Sequence, residues 1–175
     1  MPLPAPQLAS ILAFTKGVLG LSTDSQNNRL EMYIKAEFAA IEKYCDRNFL
    51  VADYIERFIG AGQYAYFPNN DNIRSIASFT ANNSGLSPLR FSDYAVYFDL
   101  PIPRVNCMLI YSAGLDDVPD DIVAVIGESV AFRFREAERI GMSSKGMAGE
   151  TTSFRVNRWS PENLKTIDCY KRGYV

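Results

Sequence analysis

VNCMLIYSAGLDDVPDDIVAVIGESVAFRFREAERIG, from Val105 to Gly141, places a strand, a break and a long helix in direct succession. Val105, Cys107, Leu109 and Tyr111 alternate with Asn106, Met108 and Ile110, the period of a strand with one buried face. Gly114 ends that run and opens a short acidic turn. Pro119 suits a helix start, where its missing N–H costs nothing. Asp120 and Asp121 then put negative charge at the positive end of the helix dipole. Arg133, Arg135 and Arg139 crowd the other end, and Gly141 is a natural residue to follow the last turn. The signals predict a helix over about 119–140.

That helix is apolar beyond one stripe. Ile122, Val125, Ile126, Val130, Phe134 and Ala137 form one face, while Val123, Ala124, Ala131 and Phe132 spread onto others, and a surface helix carries a narrower band. The favoured expectation is a central helix buried by its own domain. The alternative sets a neighbouring subunit against it, with Val123, Phe132, Arg133 and Arg135 as the candidate interface residues.

Composition removes several function classes. A chain of 175 residues suits one domain with an extension. A hydrophobic fraction of 47% is enough for a core. The net charge of −2 argues against a dedicated nucleic-acid binder. No apolar run approaches the ~20 residues a membrane helix needs, and MPLPAPQLAS lacks the basic region and apolar core of a signal peptide; a cytoplasmic setting is the expectation. The chain has no histidine, which removes Ser–His and Cys–His nucleophile pairs and histidine ligands. Cys45, Cys107 and Cys169 are far apart and read as buried free thiols. No cofactor or metal site is nominated.

Upstream, Pro2, Pro4 and Pro6 keep the first residues extended. A helix over about 7–19 follows, with Leu8, Ile11, Leu12, Thr15 and Leu19 on one side. Thr23, Asp24 and Ser25 are N-cap candidates for a second helix over about 25–47, whose Leu30, Ile34, Phe38, Ile41 and Cys45 advance by three or four. Glu31 and Lys35 make an i,i+4 pair. A β-rich insertion over about 51–111 comes next: a hairpin from Tyr54–Ile59 through Gly60–Gln63 to Tyr64–Phe67, then strands at Ile73–Thr80 and Phe91–Leu100. After the long helix, MSSKGMAGETTS reads as a mobile loop and FRVNRW as a short strand. Ser160 and Pro161 start a brief helix. From 151 to 175, Arg155, Arg158, Lys165, Lys171 and Arg172 outnumber Glu162 and Asp168, a basic segment with Trp159, Tyr170 and Tyr174 as anchors.

No catalytic constellation emerges. Asp116, Asp117, Asp120 and Asp121 could form a carboxylate pair for glycoside hydrolysis, but turn formation and helix-dipole charge explain them more simply. Gly60-Ala61-Gly62 lacks the βαβ context of a dinucleotide site. The aromatic strands Tyr64–Phe67 and Tyr94–Phe98 fit cross-strand packing at least as well as base stacking. The basic tail could touch DNA, although a partner protein with an acidic or aromatic-lined groove is the better match.

The order of parts carries a resemblance. LASILAFTKGVLGL with its following helix, YSAGLDDVPDDIVAVIGESVAFRF, and ERIGMSSKGMAGETTSFRV together resemble the head–tail connector proteins of tailed bacteriophages, also called adaptor or head-completion proteins. The resemblance implies a mainly α-helical α+β fold, a small helical bundle carrying an inserted β-region and an extended C-terminal arm. Residues 1–150 would be the connector body and 151–175 the arm. It also implies a homo-oligomeric ring of about twelve subunits, since heterologous contacts close only at a fixed rotation. The ring would sit under the portal protein in the virion and meet the next neck protein, with DNA passing through it unbound. Assembly would take place in the host cytoplasm. Arg155, Arg158, Trp159, Tyr170, Lys171, Arg172 and Tyr174 would face the portal. The insertion is longer than in the smallest relatives. The alternatives are a DNA-contacting module acting through the basic tail, and a hydrolase using the acidic residues.

Overall fold

A computed structural model of the chain describes residues 3–137, 144–147, 150–153 and 158–171. The elements in order are α1 (Ala5–Leu19), α2 (Asn27–Cys45), β1 (Ala52–Ile59), β2 (Ala65–Tyr66), β3 (Ile73–Ala81), β4 (Ser84–Gly85), β5 (Arg90–Phe91), β6 (Val96–Tyr97), β7 (Asn106–Ala113), α3 (Asp120–Arg135), β8 (Ser144–Met147), β9 (Glu150–Ser153) and α4 (Pro161–Asp168). They fall into two compact units, Met1–Asp46 with Val118–Val175, and Arg47–Asp117. The expected mainly helical chain thus narrows to a mixed α+β fold, with helices in one unit and the larger sheets in the other.

In the helical unit α1, α2 and α3 pack pairwise. Leu30, Ile34, Phe38, Ile41 and Cys45 of α2 are almost completely buried, as are Ile122, Ile126 and Val130 of α3. Each such aliphatic side chain contributes roughly 1.5–3 kcal/mol by leaving water. α2 begins at Asn27, later than expected, because Asp24 is drawn into a preceding turn. Its carboxylate accepts from Lys16 Nζ at 2.7 Å and from Asn27 Nδ2 at 3.1 Å, and the Lys16 bond chiefly holds its pKa below the usual carboxylate range. Pro119 precedes the first turn of α3, where Asp120 and Asp121 lie as the dipole favours. α3 ends at Arg135; Arg139 and Gly141 lie outside the described residues. On α3, Gly127 meets α1 so closely that a Cβ there would overlap the Phe14 ring. Ser144–Met147 and Glu150–Ser153 form a two-stranded ribbon where a loop was expected, since Thr151 and Thr152 are β-branched and suit a pleated chain.

In the sheet unit the strand order is β1-β7-β3-β4, all antiparallel. β7 is central, and the alternation predicted for it holds: Cys107, Leu109, Tyr111 and Ala113 are buried and the residues between them are not. Phe79, Val96, Phe98 and Ile102 complete the core. The expected β1–β2 hairpin is absent. β1 pairs with β7 along its whole length, and β2 pairs with β6 in a separate three-stranded sheet, β2-β6-β5. The glycines explain the difference. Gly60 N–H donates to Val105 O and Gly62 N–H to Ile102 O, and a Cβ on Gly60 would collide with the Pro103 carbonyl. Gly60 is therefore a point of close backbone approach rather than a turn residue. The expected strand Phe91–Leu100 also folds back on itself, through a turn closed by Ser92 N–H to Ala95 O.

The ends of this unit are tied together. Val51 N–H donates to Leu115 O and Leu115 N–H to Phe49 O, at 3.1 and 2.8 Å. Gly114 sits at φ +126° against the Leu50 carbonyl, a conformation that only glycine adopts without strain.

Candidate partner-binding site

The site expected from the sequence lies at the C-terminal segment, and its chemistry begins with Glu37. This residue occupies the apolar stripe of α2 between Ile34 and Ile41 and is 2% exposed. A carboxylate so placed needs compensation, because an unpaired buried charge is strongly unfavourable. Arg158 supplies it. Its Nε lies 3.2 Å from both carboxylate oxygens and its Nη2 3.0 Å from Oε2, while Nη2 also donates to Ala36 O at 3.1 Å. Trp159 Nε1–H donates to Glu37 Oε1.

A second layer extends from this clamp. Trp159 meets the Tyr44 ring edge-on at 5.3 Å, and Lys171 Nζ lies 4.8 Å from the centre of the same ring. Tyr44 O–H donates to Asp168 Oδ1 at 2.7 Å, and that bond chiefly raises the Tyr44 pKa. α4 itself starts as expected, with Ser160 Oγ accepting from Asn163 N–H at 3.1 Å behind Pro161. Ile167 is fully buried, and Cys45 Sγ–H points at its carbonyl. Tyr170 O–H reaches the Asp121 carboxylate at 2.8 Å. Cys169, expected to be buried, is exposed, unlike Cys45 and Cys107, because it follows the last turn of an eight-residue helix.

Four of the seven residues expected to face a partner are therefore turned toward their own helical unit: Arg158, Trp159, Tyr170 and Lys171. Arg155, Arg172 and Tyr174 lie outside the described residues. Of the receiving groups, Glu37 and Tyr44 were not singled out by sequence, Asp168 was only counted among the acids of the tail, and Asp121 was read as a helix-dipole charge and a hydrolytic candidate. Glu37 carried a signal all the same, as a charged residue in register with an apolar stripe.

The expected interface residues on α3 are also engaged. Val123 and Phe132 are half-buried and Arg133 and Arg135 exposed. The Arg133 guanidinium stands 5.0 Å from the Tyr33 ring centre, with Arg29 between that ring and Phe134. Arg135 Nη2 donates to Val18 O at 3.1 Å, satisfying a carbonyl at the end of α1.

Two of the four acidic candidates have basic or phenolic partners of their own. Asp116 binds Arg74 at 2.8 Å, and Asp121 receives Tyr170. Among the described residues no group of three or more Cys, Asp or Glu side chains could hold a metal ion. The sheet unit has one buried acid of its own. Glu56 accepts from Tyr66 O–H at 2.9 Å, from Asn69 N–H at 2.7 Å and from Tyr111 O–H. The Tyr111 oxygen in turn accepts from Asn70 N–H and Nδ2 at 3.1 and 3.2 Å.

No family model and no curated protein matches the chain. Solved structures do match it over its full length. A chain in the neck of an empty GTA particle computed with C6 symmetry is 12% identical, with a TM-score of 0.60 and 100% of this chain and 96% of that one covered. A chain in the neck of the native GTA particle computed with C12 symmetry is 11% identical at the same TM-score and coverage. A chain of the virion of the native gene transfer agent particle is 12% identical, with a TM-score of 0.62 over 100% and 94% of the two chains. At these identities the likeness is one of fold.

Proposed function

We propose that this chain is a structural neck protein of a phage-like particle, a head–tail connector subunit without a catalytic step. The single observation that carries this reading is the fold likeness to neck chains, complete over this chain and nearly so over theirs. The buried carboxylates Glu37 and Glu56 each hold one chain segment against another. The symmetries of the neighbouring particles favour a homo-oligomeric ring, with twelve copies as the working number. In this reading the ring sits in the virion under the portal protein and meets the next neck protein, and DNA passes through without specific contact. Assembly takes place in the host cytoplasm.

The C-terminal segment divides by role. Residues 158–171 are the seat, fixed on Glu37, Tyr44 and Asp121. Arg172 to Val175 reach the portal, with Arg172 and Tyr174 as the contacts. The DNA-contacting alternative is weakened because Arg158 and Lys171, two of the five basic residues of the tail, are spent within the chain.

Electron microscopy of the purified protein mixed with portal-bearing capsids from the same source tests this. An added ring at one vertex supports the connector role, and removal of 172–175 is expected to abolish docking while the chain stays folded. Bare capsids in the presence of folded protein would remove the reading.

A further inference from the structure

Gly60 N–H bonds to Val105 O just beyond the paired residues Ile59 and Asn106. In an antiparallel ladder every second residue faces the neighbour, so Phe58, Glu56, Tyr54 and Ala52 exchange bonds with β7. The main-chain groups of Asp53, Ile55, Arg57 and Ile59 then point off the sheet, whose order ends at β1. The same four side chains are exposed, Ile55 at 62% and Ile59 at 73%. An eight-residue edge with two uncovered isoleucines and no proline or bulge is a ready template for another strand.

The chain also holds a strand pair in the complementary condition. β8 and β9 pair only with each other among the described residues, and an isolated two-stranded ribbon is marginal in water. A cyclic ring needs two different surfaces that meet head to tail, because an edge paired with itself across a two-fold closes a dimer instead. The geometry points to β9 of one copy adding antiparallel to β1 of the next, so that the four-stranded sheet continues through the β8–β9 ribbon of a neighbour. β9 is the better donor edge because β8 contains Gly146, whereas Thr151 and Thr152 favour extended chain. Charge selects the direction. Antiparallel addition places Glu150, the first residue of β9, at the Arg57 end of β1, and a parallel run would place it at the Asp53 end. This inference rests on the ring reading proposed above.

The test uses the full chain in a Cys169→Ser background, since the other two thiols are buried. Ile55→Cys is combined in turn with Thr151→Cys, Thr152→Cys and Ser153→Cys, and each is oxidised after ring assembly on portal-bearing capsids. One pairing is expected to give a ladder of covalent multimers. Ile55→Pro is the companion variant, because its N–H points away from β7 and the sheet can fold without it. Ring formation should fall at least tenfold while circular dichroism is retained. Rings that assemble with every cysteine pair unlinked and with Ile55→Pro intact would overturn the strand addition and leave the ring reading standing. A disulfide confined to single chains would overturn the choice of a second copy. If the unsubstituted chain forms no ring, the connector reading itself has failed.

Discussion

Glu37 and Glu56 are both buried carboxylates, 2% and 8% exposed, yet they are compensated in opposite ways. Glu37 takes a guanidinium and an indole from a segment more than a hundred residues downstream. Glu56 takes two phenols and a backbone N–H from its own sheet unit, all neutral. A charge pair with Arg158 side chain 45% exposed is open to water on one side, so its loss frees a segment without emptying a core. The Glu56 network lies among strands, and its loss leaves several donors inside the sheet unsatisfied. One carboxylate fastens a removable part, and the other is built into a wall.

The largest effect that would break this contrast belongs to the sheet. Glu56→Ala should cost about 3 kcal/mol, since three donors lose their acceptor, read as a lowered denaturation midpoint. A loss equal to that of an exposed substitution would mean that water replaces the carboxylate. Tyr111→Phe comes next, at about 2 kcal/mol, because Glu56 loses one donor and Asn70 N–H its acceptor.

Arg158→Ala should cost about 1–2 kcal/mol after allowing for the exposure of the guanidinium. Its signature is release of the 158–171 segment to limited proteolysis with the sheet unit unchanged. Equal protection in the variant would show that the 158–171 segment holds without the Arg158 pair, through Ile167 and the Trp159, Asp168 and Tyr170 contacts.

The smallest effect is one of pH. Burial first, and then the bond to Glu56, push the Tyr111 pKa up. A raised folded pKa means that this contribution is complete below the ordinary tyrosine value near 10 and is lost as the pH climbs through the folded value. In an alkaline absorbance titration Tyr111 should ionise late, together with unfolding of the sheet unit. The Tyr111→Phe variant should lack that late step.

Local sequence carried the elements well where a single period and its end signals agreed. α2, α3 and β7 were legible because Leu30 to Cys45, Ile122 to Val130, and Cys107 to Ala113 each repeat on one face. Strand partners were not legible in the same way. Gly60 and Gly62 look like a turn between Tyr54–Ile59 and Tyr64–Phe67, and only the approach of Pro103 from more than forty residues away reveals their use. The site was half legible for a similar reason. Trp159 and Arg158 announced themselves as an aromatic and a cation in a polar tail, but nothing local says whether such anchors grip a partner or their own chain. The answer lay in Glu37, whose place on an apolar stripe demands a counter-charge without naming its source.

The bonds joining Phe49 and Val51 to Leu115 have a consequence for how this chain can change over generations. A piece of chain whose entry and exit are stapled to each other asks its host for no more than two adjacent attachment points. Residues 47–117 could lengthen, shorten or be exchanged for another self-closed piece while the helices around the splice keep their packing. The same staple makes the piece a natural unit to excise and express alone. Gly114 is where such transplants would fail first, because the exit strand turns there through a backbone conformation that other residues resist.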